Sequence, residues 1–524
     1  MDSKQFQEAA ISSIEEIVKY YDNIEDRRVL PTVEPGYLRK LLPADAPEEG
    51  EPWADIQKDI EDKIMPGITH WQSPNFLAWF PSSSSFPAML GEMYSAAFTG
   101  AAFNWVCSPA VTELETVVLD WLARALALPP CYHSTGPTAG GGVIHGTASE
   151  AVATVMVAAR EAYLRAATAG LGLEGDALED ALAEHRGRLV ALAGAAAHTA
   201  TKKAAQIAGV RFRAVPSRPG DGHRLTGAAL REAIAALRAR GLEPFYVTAT
   251  FGTTDTCAVD DMDGIAAAVA DADASTGVGG GKIWVHVDAA YAGVALLCAE
   301  YRGLAGAAET LARFHSFNTN LHKWLLVNFD CSAVWVRDRA LLTSALGVAA
   351  PLAILANRHS DSGLVTDYRD WQIPFGRRFR SLKVWFVLRS YGLAGLRAHV
   401  RRHVALAEAF AAALRARPDL FEIVAGPRFA LTVFALKGKG KGKGGEEKGE
   451  AAEAAALEAQ NALTKRLYDD VVAGGKMFLS STVVGGVFAI RHNPATPRVE
   501  ERHVKKHFEI LVEAAEKVLA AEGA

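Results

Sequence analysis

From about residue 143 to residue 330, short apolar segments alternate with alanine-rich segments, and this alternation constrains the fold more than any other feature of the chain. The apolar segments predict β-strands and the alanine-rich ones predict helices. The predicted strands are 188–192, 212–215, 245–250, 283–288 and 331–336, and the predicted helices are 149–168, 200–208, 227–239 and 261–272. Such an alternation is typical of a mostly parallel sheet covered by helices, which binds ligands at the carboxyl ends of its strands.

A chain of 524 residues is too long for one hydrophobic core, because single domains usually contain about 100–200 residues. We predict an N-terminal helical arm over residues 1–85, a large α/β domain over 86–390 and a small C-terminal domain over 391–524. The arm has little core of its own and is expected to pack on another subunit or domain. Within the small domain, the Lys/Gly-rich run 437–450 predicts a solvated loop.

Composition excludes several classes of protein. The formal net charge of -5 gives no reason to expect a nucleic acid or an anionic membrane as partner. The five cysteines are scattered without CxxC spacing, so neither a disulfide framework nor a metal site is expected. The polar first residues do not resemble a signal peptide, and an apolar run of about 18 residues is absent. A cytoplasmic enzyme is therefore predicted.

The sharpest local feature is a lysine, Lys323, inside the segment 320–327 (Asn-Leu-His-Lys-Trp-Leu-Leu-Val), whose second half is apolar. Burial disfavours the charged form of an amine and lowers its pKa. A neutral lysine amine can bind an aldehyde covalently. The alternative is an ordinary lysine whose charged end reaches the surface.

Asp288 ends the predicted strand 283–288, where a parallel sheet presents groups to its ligands. A carboxylate in this position can hold a protonated pyridine nitrogen and so strengthen a cofactor as an electron sink. The alternative is an aspartate that caps the following turn.

Two further features accompany these residues. Glycines at 140–142 and Ser149 precede a predicted helix, and the free N–H groups at the start of a helix bind phosphate. Alternatively, Ser149 only caps that helix. His198 lies between a predicted strand and a predicted helix, where an imidazole can stack on a flat cofactor ring or serve a purely structural role. Together with Lys323 and Asp288, these features fit one cofactor that carries a phosphate, an aromatic ring and an aldehyde.

In these segments the chain resembles the aromatic-L-amino-acid decarboxylases, which are pyridoxal 5'-phosphate (PLP) enzymes of the group II decarboxylases. The resemblance extends from the arm almost to the C-terminus, apart from the Lys/Gly-rich loop. The matching segments are 72–74, 80–81, 108–110, 112–115, 288–293 (Asp-Ala-Ala-Tyr-Ala-Gly), 322–331 (His-Lys-Trp-Leu-Leu-Val-Asn-Phe-Asp-Cys), 367–369 and 376–383. It implies the aminotransferase-type (fold type I) architecture, with a mostly parallel seven-stranded sheet in the large domain and a small α+β domain.

The resemblance also implies roles for individual residues. Lys323 would bind the cofactor covalently, Asp288 would pair with its ring nitrogen, and His198 would stack on its ring. The other residues of the cofactor site would be Ala148, Ser149, Thr254, Ala290, Asn320 and His322, with the phosphate held by Ala148, Ser149, Asn320 and His322. Relatives work as homodimers with shared active sites, so the substrate pocket would draw on both chains. Its lining would be Trp71, Trp79, Phe80, Pro81, Ala101, Phe103 and Gly376.

The implied reaction is decarboxylation of an aromatic L-amino acid to the arylalkylamine and CO2. One departure affects its last step, because relatives usually carry a tyrosine on a loop as proton donor to Cα. Here Ile354, or Ala353 in a shifted alignment, occupies that position, and neither side chain can donate a proton. Either water, His359 or His198 protonates Cα, or O2 oxidises the carbanionic species and the products are an aryl acetaldehyde, NH3, CO2 and H2O2.

Substrate selectivity is only partly readable from the sequence. Some relatives that select phenolic substrates carry serine where this chain has Gly376, and glycine leaves more room, which is compatible with an indole. Tryptophan, tyrosine, phenylalanine and DOPA are not separated. Two rival interpretations of the same fold are a transaminase and an inactive protein kept for binding.

Overall fold

The computed structural model describes residues 1–275, 281–347, 355, 357–361, 365–437 and 450–522. The chain divides into two compact units. The sheet unit comprises Ser82–Ala405 and Ala425–Leu431, and the terminal unit comprises Met1–Pro81, Leu406–Val424 and Thr432–Ala524. The arm residues therefore group with the C-terminal part of the chain. The boundaries at 85 and 390 that the sequence suggested stay predictions.

A seven-stranded sheet forms the centre of the sheet unit. Its strands are β1 (Gly141–His145), β2 (Leu189–Gly194), β3 (Arg211–Val215), β4 (Glu243–Thr250), β5 (Trp284–Asp288), β6 (Ser316–Asn320) and β7 (Ser332–Val336), in the order β1-β7-β6-β5-β4-β2-β3. The strands from β3 to β6 pair in parallel, whereas β7 runs antiparallel to both of its neighbours. The prediction of a mostly parallel seven-stranded sheet is confirmed.

The five strands predicted from apolar segments all form, with ends shifted by a few residues. Two strands were missed. The glycine run interpreted as part of a phosphate loop lies partly in β1, since Gly141 and Gly142 pair with Val336 and Trp335. β6 has the polar sequence Ser-Phe-Asn-Thr-Asn, yet every residue of it is buried between β5 and β7. A buried strand with polar side chains is unusual for a hydrophobic core and is a candidate for ligand binding.

Helices cover this sheet. Those of the sheet unit are α4 (Phe86–Ala97), α5 (Pro109–Ala125), α6 (Ala148–Thr168), α7 (Gly175–Arg188), α8 (Ala200–Ile207), α9 (Gly227–Arg238), α10 (Met262–Ser275), α11 (Ala308–Arg313), α12 (Leu321–Trp324), α13 (Ala340–Leu346) and α14 (Arg358–Asp361). In α6, Ala151, Val152, Val155 and Met156 are fully buried and belong to one hydrophobic core cluster. Small alanine side chains let this helix pack closely on the sheet, so its first turn is held firmly at the sheet edge.

A long helical segment, α15 (Arg380–Ala416), leads from the sheet unit into the terminal unit. Gly392 interrupts it with a backbone conformation of φ 60° and ψ 169° that is outside the helical range. Glycine adopts a positive φ without steric cost.

The terminal unit combines helices with a small antiparallel sheet. Its helices are α1 (Ser3–Asp22), α2 (Tyr37–Leu41), α3 (Trp53–Asp59), α16 (Glu450–Gly474) and α17 (Glu501–Glu522). The four-stranded sheet has the order β10-β11-β9-β8, formed by β8 (Phe421–Arg428), β9 (Leu431–Leu436), β10 (Ser480–Val484) and β11 (Val487–His492). Leu467, Phe434 and Ile490 belong to its buried core. This mixture matches the predicted α+β character.

Among the described residues, no helix is both long and apolar enough to cross a membrane.

Candidate active site

The carboxyl ends of β4, β5 and β6 meet at one edge of the sheet. Thr250, the last residue of β4, lies opposite Asp288, the last residue of β5, and Asp288 lies opposite Asn318 of β6. Asp288 is only 4% exposed, and its Oδ1 accepts a hydrogen bond of 3.1 Å from the backbone N–H of Ala290. The carboxylate therefore ends the strand and also caps the next turn, so the two interpretations of Asp288 are compatible.

Lys323 lies in α12, a single helical turn that follows directly after β6. Its neighbours Leu321, His322 and Trp324 are buried, whereas Lys323 itself is half-buried. The indole of Trp324 donates from Nε1 to Nδ1 of His403 over 2.9 Å and stacks on Tyr291 with ring centroids 4.9 Å apart. These contacts anchor the turn from which the lysine projects.

His198 follows β2 and precedes α8. Its Nδ1 accepts a 3.1 Å hydrogen bond from the backbone N–H of Ala200, so the neutral ring carries its proton on Nε2. Partial loss of hydration lowers the pKa of His198, and the positive charge of Lys323 lowers it further, whereas the Asp288 carboxylate acts in the opposite direction. The three residues that carry the predicted chemistry therefore form one electrostatic cluster.

His322 is held in one tautomer by the same kind of bond. Its Nδ1 accepts from the backbone N–H of Cys331 over 2.8 Å. Burial lowers the pKa of His322 to about 3, the charge of Lys323 adds to this shift, and Asp330 opposes it. At neutral pH the ring is thus uncharged and has Nε2–H available as a donor.

The first turn of α6 supplies further donors. Thr147 is the N-cap of this helix, because its side chain accepts from the N–H of Glu150. The alternative that Ser149 caps the helix is therefore wrong. The free N–H groups of the first turn favour an anion. The carboxylate of Glu150 stiffens this segment, since it accepts from the N–H of Gly146 over 2.9 Å and contacts His145.

Asn320, at the end of β6, has a buried side-chain oxygen without a hydrogen-bond partner among the described residues. Buried polar atoms in native proteins are usually satisfied, so such an atom points to a missing polar ligand. Toward a phosphate, which accepts hydrogen bonds, this carboxamide would turn its NH2 group. Asn320 lies opposite Ser332 of β7, which in turn lies opposite His145 of β1, just before the start of α6. The donors at this edge, including the Nε2–H of His322, fit the phosphate of PLP.

Thr254 and Ala290 lie in the loops that follow β4 and β5. Thr254 is half-buried, and its loop depends on Gly252, where φ is +94° and an added Cβ would lie 2.6 Å from the Cβ of Ala292. The carbonyl of Ala290 accepts from the N–H of Asn320 over 3.0 Å. These contacts hold the loops after β4 and β5 at the same edge as Asn320.

The predicted substrate residues are divided between the two units. In the terminal unit, Trp71 and Trp79 stack with ring centroids 5.2 Å apart, and Phe80 and Pro81 follow directly. In the sheet unit, the ring of Phe103 lies 4.9 Å from that of Phe375. A Cβ added at Gly376 would have only the Cβ of Ala101 within 4.0 Å among the described residues.

Sequence reasoning missed the residues that support Trp79. Its backbone has a φ of 51°, and its N–H donates to Oγ of Ser480 over 3.0 Å. The ring of Phe478 packs edge-on against it at 5.2 Å. These two residues lie about 400 positions further along the chain in a segment without a recognisable motif, so only the fold brings them to Trp79.

The loop positions 353 and 354 lie outside the described residues. His359, one of the alternative proton donors, lies in α14 with its ring 4.7 Å from that of Trp105 and its Nε2 accepting from Nε of Arg358 over 3.2 Å. The residues that the structure describes contain no group of three or more His, Cys, Asp or Glu side chains placed to hold a metal ion.

Comparison with known proteins identifies the family. Residues 35–437 match the pyridoxal-dependent decarboxylase conserved domain. The chain is 42% identical to the aromatic-L-amino-acid decarboxylase of Mus musculus over 100% of both chains. It is also 42% identical to the phenylacetaldehyde synthase of Arabidopsis thaliana, over 99% of this chain and 97% of that one. The crystal structure of Oryza sativa TDC with PLP and tryptamine has a TM-score of 0.88 at 37% identity and covers 99% of each chain.

The chain therefore belongs to the pyridoxal-dependent decarboxylase family. More particularly, it is a PLP-dependent carboxy-lyase of the aromatic amino acid decarboxylase group, which includes aldehyde synthases. The architecture is fold type I, as predicted. The interpretations as a transaminase or as an inactive binding protein are not supported.

The fixed tautomer of His322 gives a testable prediction. In His322→Asn, the amide oxygen can still accept from the N–H of Cys331 but the Nε2–H donor is lost. A hydrogen bond to a charged group contributes about 1.5–3 kcal/mol, so the Kd for PLP should rise roughly 10- to 100-fold. Because the pKa of His322 is lowered to about 3, this ring stays neutral and should add no titration step to wild-type PLP affinity above about pH 5.

Equilibrium dialysis of the apo protein against PLP measures this effect, with the thermal unfolding midpoint as a control for folding. Wild-type affinity in a folded His322→Asn variant would contradict the assignment of this ring to the phosphate.

Proposed function

We propose that this chain removes the carboxylate of an aromatic L-amino acid and releases the arylalkylamine and CO2, with PLP bound by Lys323. The observation that carries the proposal is the electrostatic cluster of Lys323, Asp288 and His198 at the carboxyl edge of the sheet. A lysine amine, a carboxylate and an imidazole with a fixed tautomer are the groups that this chemistry requires.

Each residue of the cluster has a separate task. PLP, when bound, would supply an electron sink for the pair that the departing carboxylate leaves on Cα. Asp288 provides the negative charge that favours a protonated ring nitrogen, and Lys323 provides the amine that binds the aldehyde. His198 offers a flat ring held by the N–H of Ala200, and its uncharged form at neutral pH suits stacking on an aromatic system. Ala148, Ser149, Asn320 and His322 would hold the phosphate.

A second outcome is supported by the loop sequence. Ile354 cannot donate a proton, and tyrosine, phenylalanine and tryptophan are absent between Trp335 and Tyr368. Without a donor for Cα, O2 can accept the electrons instead. The balanced reaction then consumes the amino acid, O2 and H2O and yields an aryl acetaldehyde, CO2, NH3 and H2O2. The likeness to the phenylacetaldehyde synthase of Arabidopsis thaliana supports this alternative.

The two outcomes are separated by a product assay of the PLP-loaded protein in air with tryptophan, tyrosine, phenylalanine and DOPA. Amine without peroxide means that another donor replaces the tyrosine, whereas aldehyde with stoichiometric peroxide means that this is an aldehyde synthase. In Ile354→Tyr the added hydroxyl should supply the proton, so the ratio of amine to aldehyde should rise at least about 10-fold if aldehyde dominates in the wild type. Ile354→Phe is the matched control, because it adds the ring without the hydroxyl. Release of the carboxylate in none of these reactions would refute the proposal.

Space beside Gly376 supports an aromatic substrate as large as an indole. Gly376 and Ala101 are both small and exposed, and a Cβ added at Gly376 would meet only the Cβ of Ala101, at 4.0 Å, among the described residues. The solved structure of Oryza sativa TDC, which is similar over 99% of the chain, contains tryptamine.

Substitution of Gly376 tests this view of the pocket. In Gly376→Ser the added side chain meets open space, so the protein should fold normally, but the hydroxymethyl group reduces the room for the larger ring. The ratio of kcat/KM for tryptophan to that for tyrosine should fall about 10-fold or more, as expected for one side chain placed in a pocket. An unchanged ratio would show that Gly376 does not limit substrate size.

We also propose a homodimer. Helix α1 exposes Phe6, Ile11, Ile14 and Val18, and helix α4 exposes Leu90, Met93 and Tyr94. Large exposed apolar patches mark interaction sites, and a second copy of the chain is the partner that agrees with the expected shared active sites. Cytoplasmic location stays a prediction.

Sedimentation velocity tests the dimer. Wild-type protein should sediment with twice the chain mass, and Ile11→Glu combined with Ile14→Glu should shift it toward the monomer and reduce activity. Glu16→Lys, on the same helix but outside the apolar set, is the control and should remain dimeric. A monomeric, fully active wild type would overturn the proposal.

A further inference from the structure

The segment 82–85 runs along the backbone of the turn that carries Lys323. The N–H of Ser83 donates to the carbonyl of His322 over 2.6 Å, and its hydroxyl donates to the carbonyl of Lys323 over 2.7 Å. The hydroxyl of Ser85 donates to the carbonyl of Leu326, also over 2.7 Å. All of these residues belong to the sheet unit.

The carbonyls need these partners because α12 is so short. A helix leaves its last four carbonyl groups without intrahelical partners. In this four-residue turn the bond from the N–H of Leu325 to the carbonyl of Leu321 closes the helix. The carbonyls of His322 and Lys323 point instead to Ser83, which is 1% exposed. The chain then turns at Leu326, whose φ of 62° is unfavourable for an L-residue.

The serines are themselves fixed to a firm part of the sheet unit. The hydroxyl of Ser85 accepts from the N–H of Ala88 and so caps α4. That helix packs closely on α15, because a Cβ added at Gly91 would lie 2.5 Å from the Cα of Lys383. The ammonium of Lys383, which is fully buried, forms an ion pair of 2.5 Å with Glu92 of α4.

Only some of the serines in the segment 82–85 form hydrogen bonds to the turn. Ser83 and Ser85 face the turn, whereas Ser84 between them has no hydrogen bond to the described part of the chain. Alternation of this kind is expected of an extended segment, in which successive side chains point to opposite sides. Two of the four consecutive serines at 82–85 therefore share one task.

We propose that Ser83 and Ser85 are positioning residues for the cofactor-binding lysine: they fix the backbone of α12 and thereby the approach of the Lys323 amine to the cofactor aldehyde. This inference rests on the role of Lys323 in the proposed function. Neither hydroxyl contacts the amine, so their effect reaches the cofactor through the backbone alone.

The experiment compares Ser83→Ala, Ser85→Ala and the matched control Ser84→Ala. Apo protein is mixed with PLP, borohydride is added at set times, and peptide mapping measures the fraction of the chain that carries the cofactor on Lys323. Loss of one backbone-directed hydrogen bond should reduce the rate of fixation and the affinity for PLP roughly 3- to 10-fold in Ser83→Ala and less in Ser85→Ala. Ser84→Ala should match the wild type.

Steady-state kinetics add a second readout. Because the hydroxyls do not touch the substrate, kcat should fall by a similar factor in Ser83→Ala while KM changes by less than about 2-fold. Ser83→Thr keeps the hydroxyl and should restore both fixation and kcat. A purely structural role would instead lower the thermal midpoint of the apo protein without a change in the rate of fixation by the folded fraction.

Wild-type rates of fixation and wild-type kcat in folded Ser83→Ala would overturn the proposal. If Ser83→Ala does not fold, Ser83→Cys decides, because a thiol keeps the volume but donates weakly, and wild-type fixation in that variant would also overturn it. Cofactor found on a lysine other than Lys323 in the wild type would refute the proposed function and not the contacts of the serines.

Discussion

The site depends on the convergence of parallel strand ends at one edge of the sheet. Register places Thr250 beside Asp288 and Asp288 beside Asn318, so three strands deliver polar groups within a few residues of one another. A charged group near a partly buried imidazole changes the pKa of that ring. Burial lowers the pKa of His198, the positive charge of Lys323 lowers it further, and the Asp288 carboxylate acts in the opposite direction.

Hydrogen bonds from the backbone to histidine recur in this chain. The Nδ1 atoms of His198, His315, His322 and His503 each accept from a backbone N–H. Burial lowers the pKa of His315 and His322 to about 3, so both rings are neutral at physiological pH. The fold thus uses its own amides to decide which nitrogen of an imidazole donates. At His322 this choice makes the residue next to Lys323 a neutral donor at physiological pH.

Much of the fold could be predicted from sequence, because the residue patterns of apolar strands and alanine-rich helices are distinct. Lys323 and Asp288 were found for the same reason, since each is a charged residue next to an apolar run. β6 was missed because its residues are polar, and β1 because its glycines also fit a loop. The roles of Ser83 and Ser480 could not be predicted from sequence, because each depends on a hydrogen bond to a distant backbone group that only the fold brings close. The loop at 353–354 was identified as a departure from the family because an expected tyrosine is missing there, and both positions lie outside the described residues.

The reversed direction of β7 has a consequence for the polarity of the sheet edge. Parallel strands end in carbonyl groups, but β7 begins where β1 and β6 end, since Ser332 lies opposite both His145 and Asn320. An amide-rich strand start is thereby inserted among carbonyl-rich strand ends, and the N–H of Cys331 already serves His322 there. One inverted strand between two parallel ones therefore places a backbone N–H donor at an edge where its neighbours end in carbonyl groups. Through His322, whose tautomer that N–H fixes, the direction of a single strand decides which atom an imidazole offers at this edge, without any charged side chain.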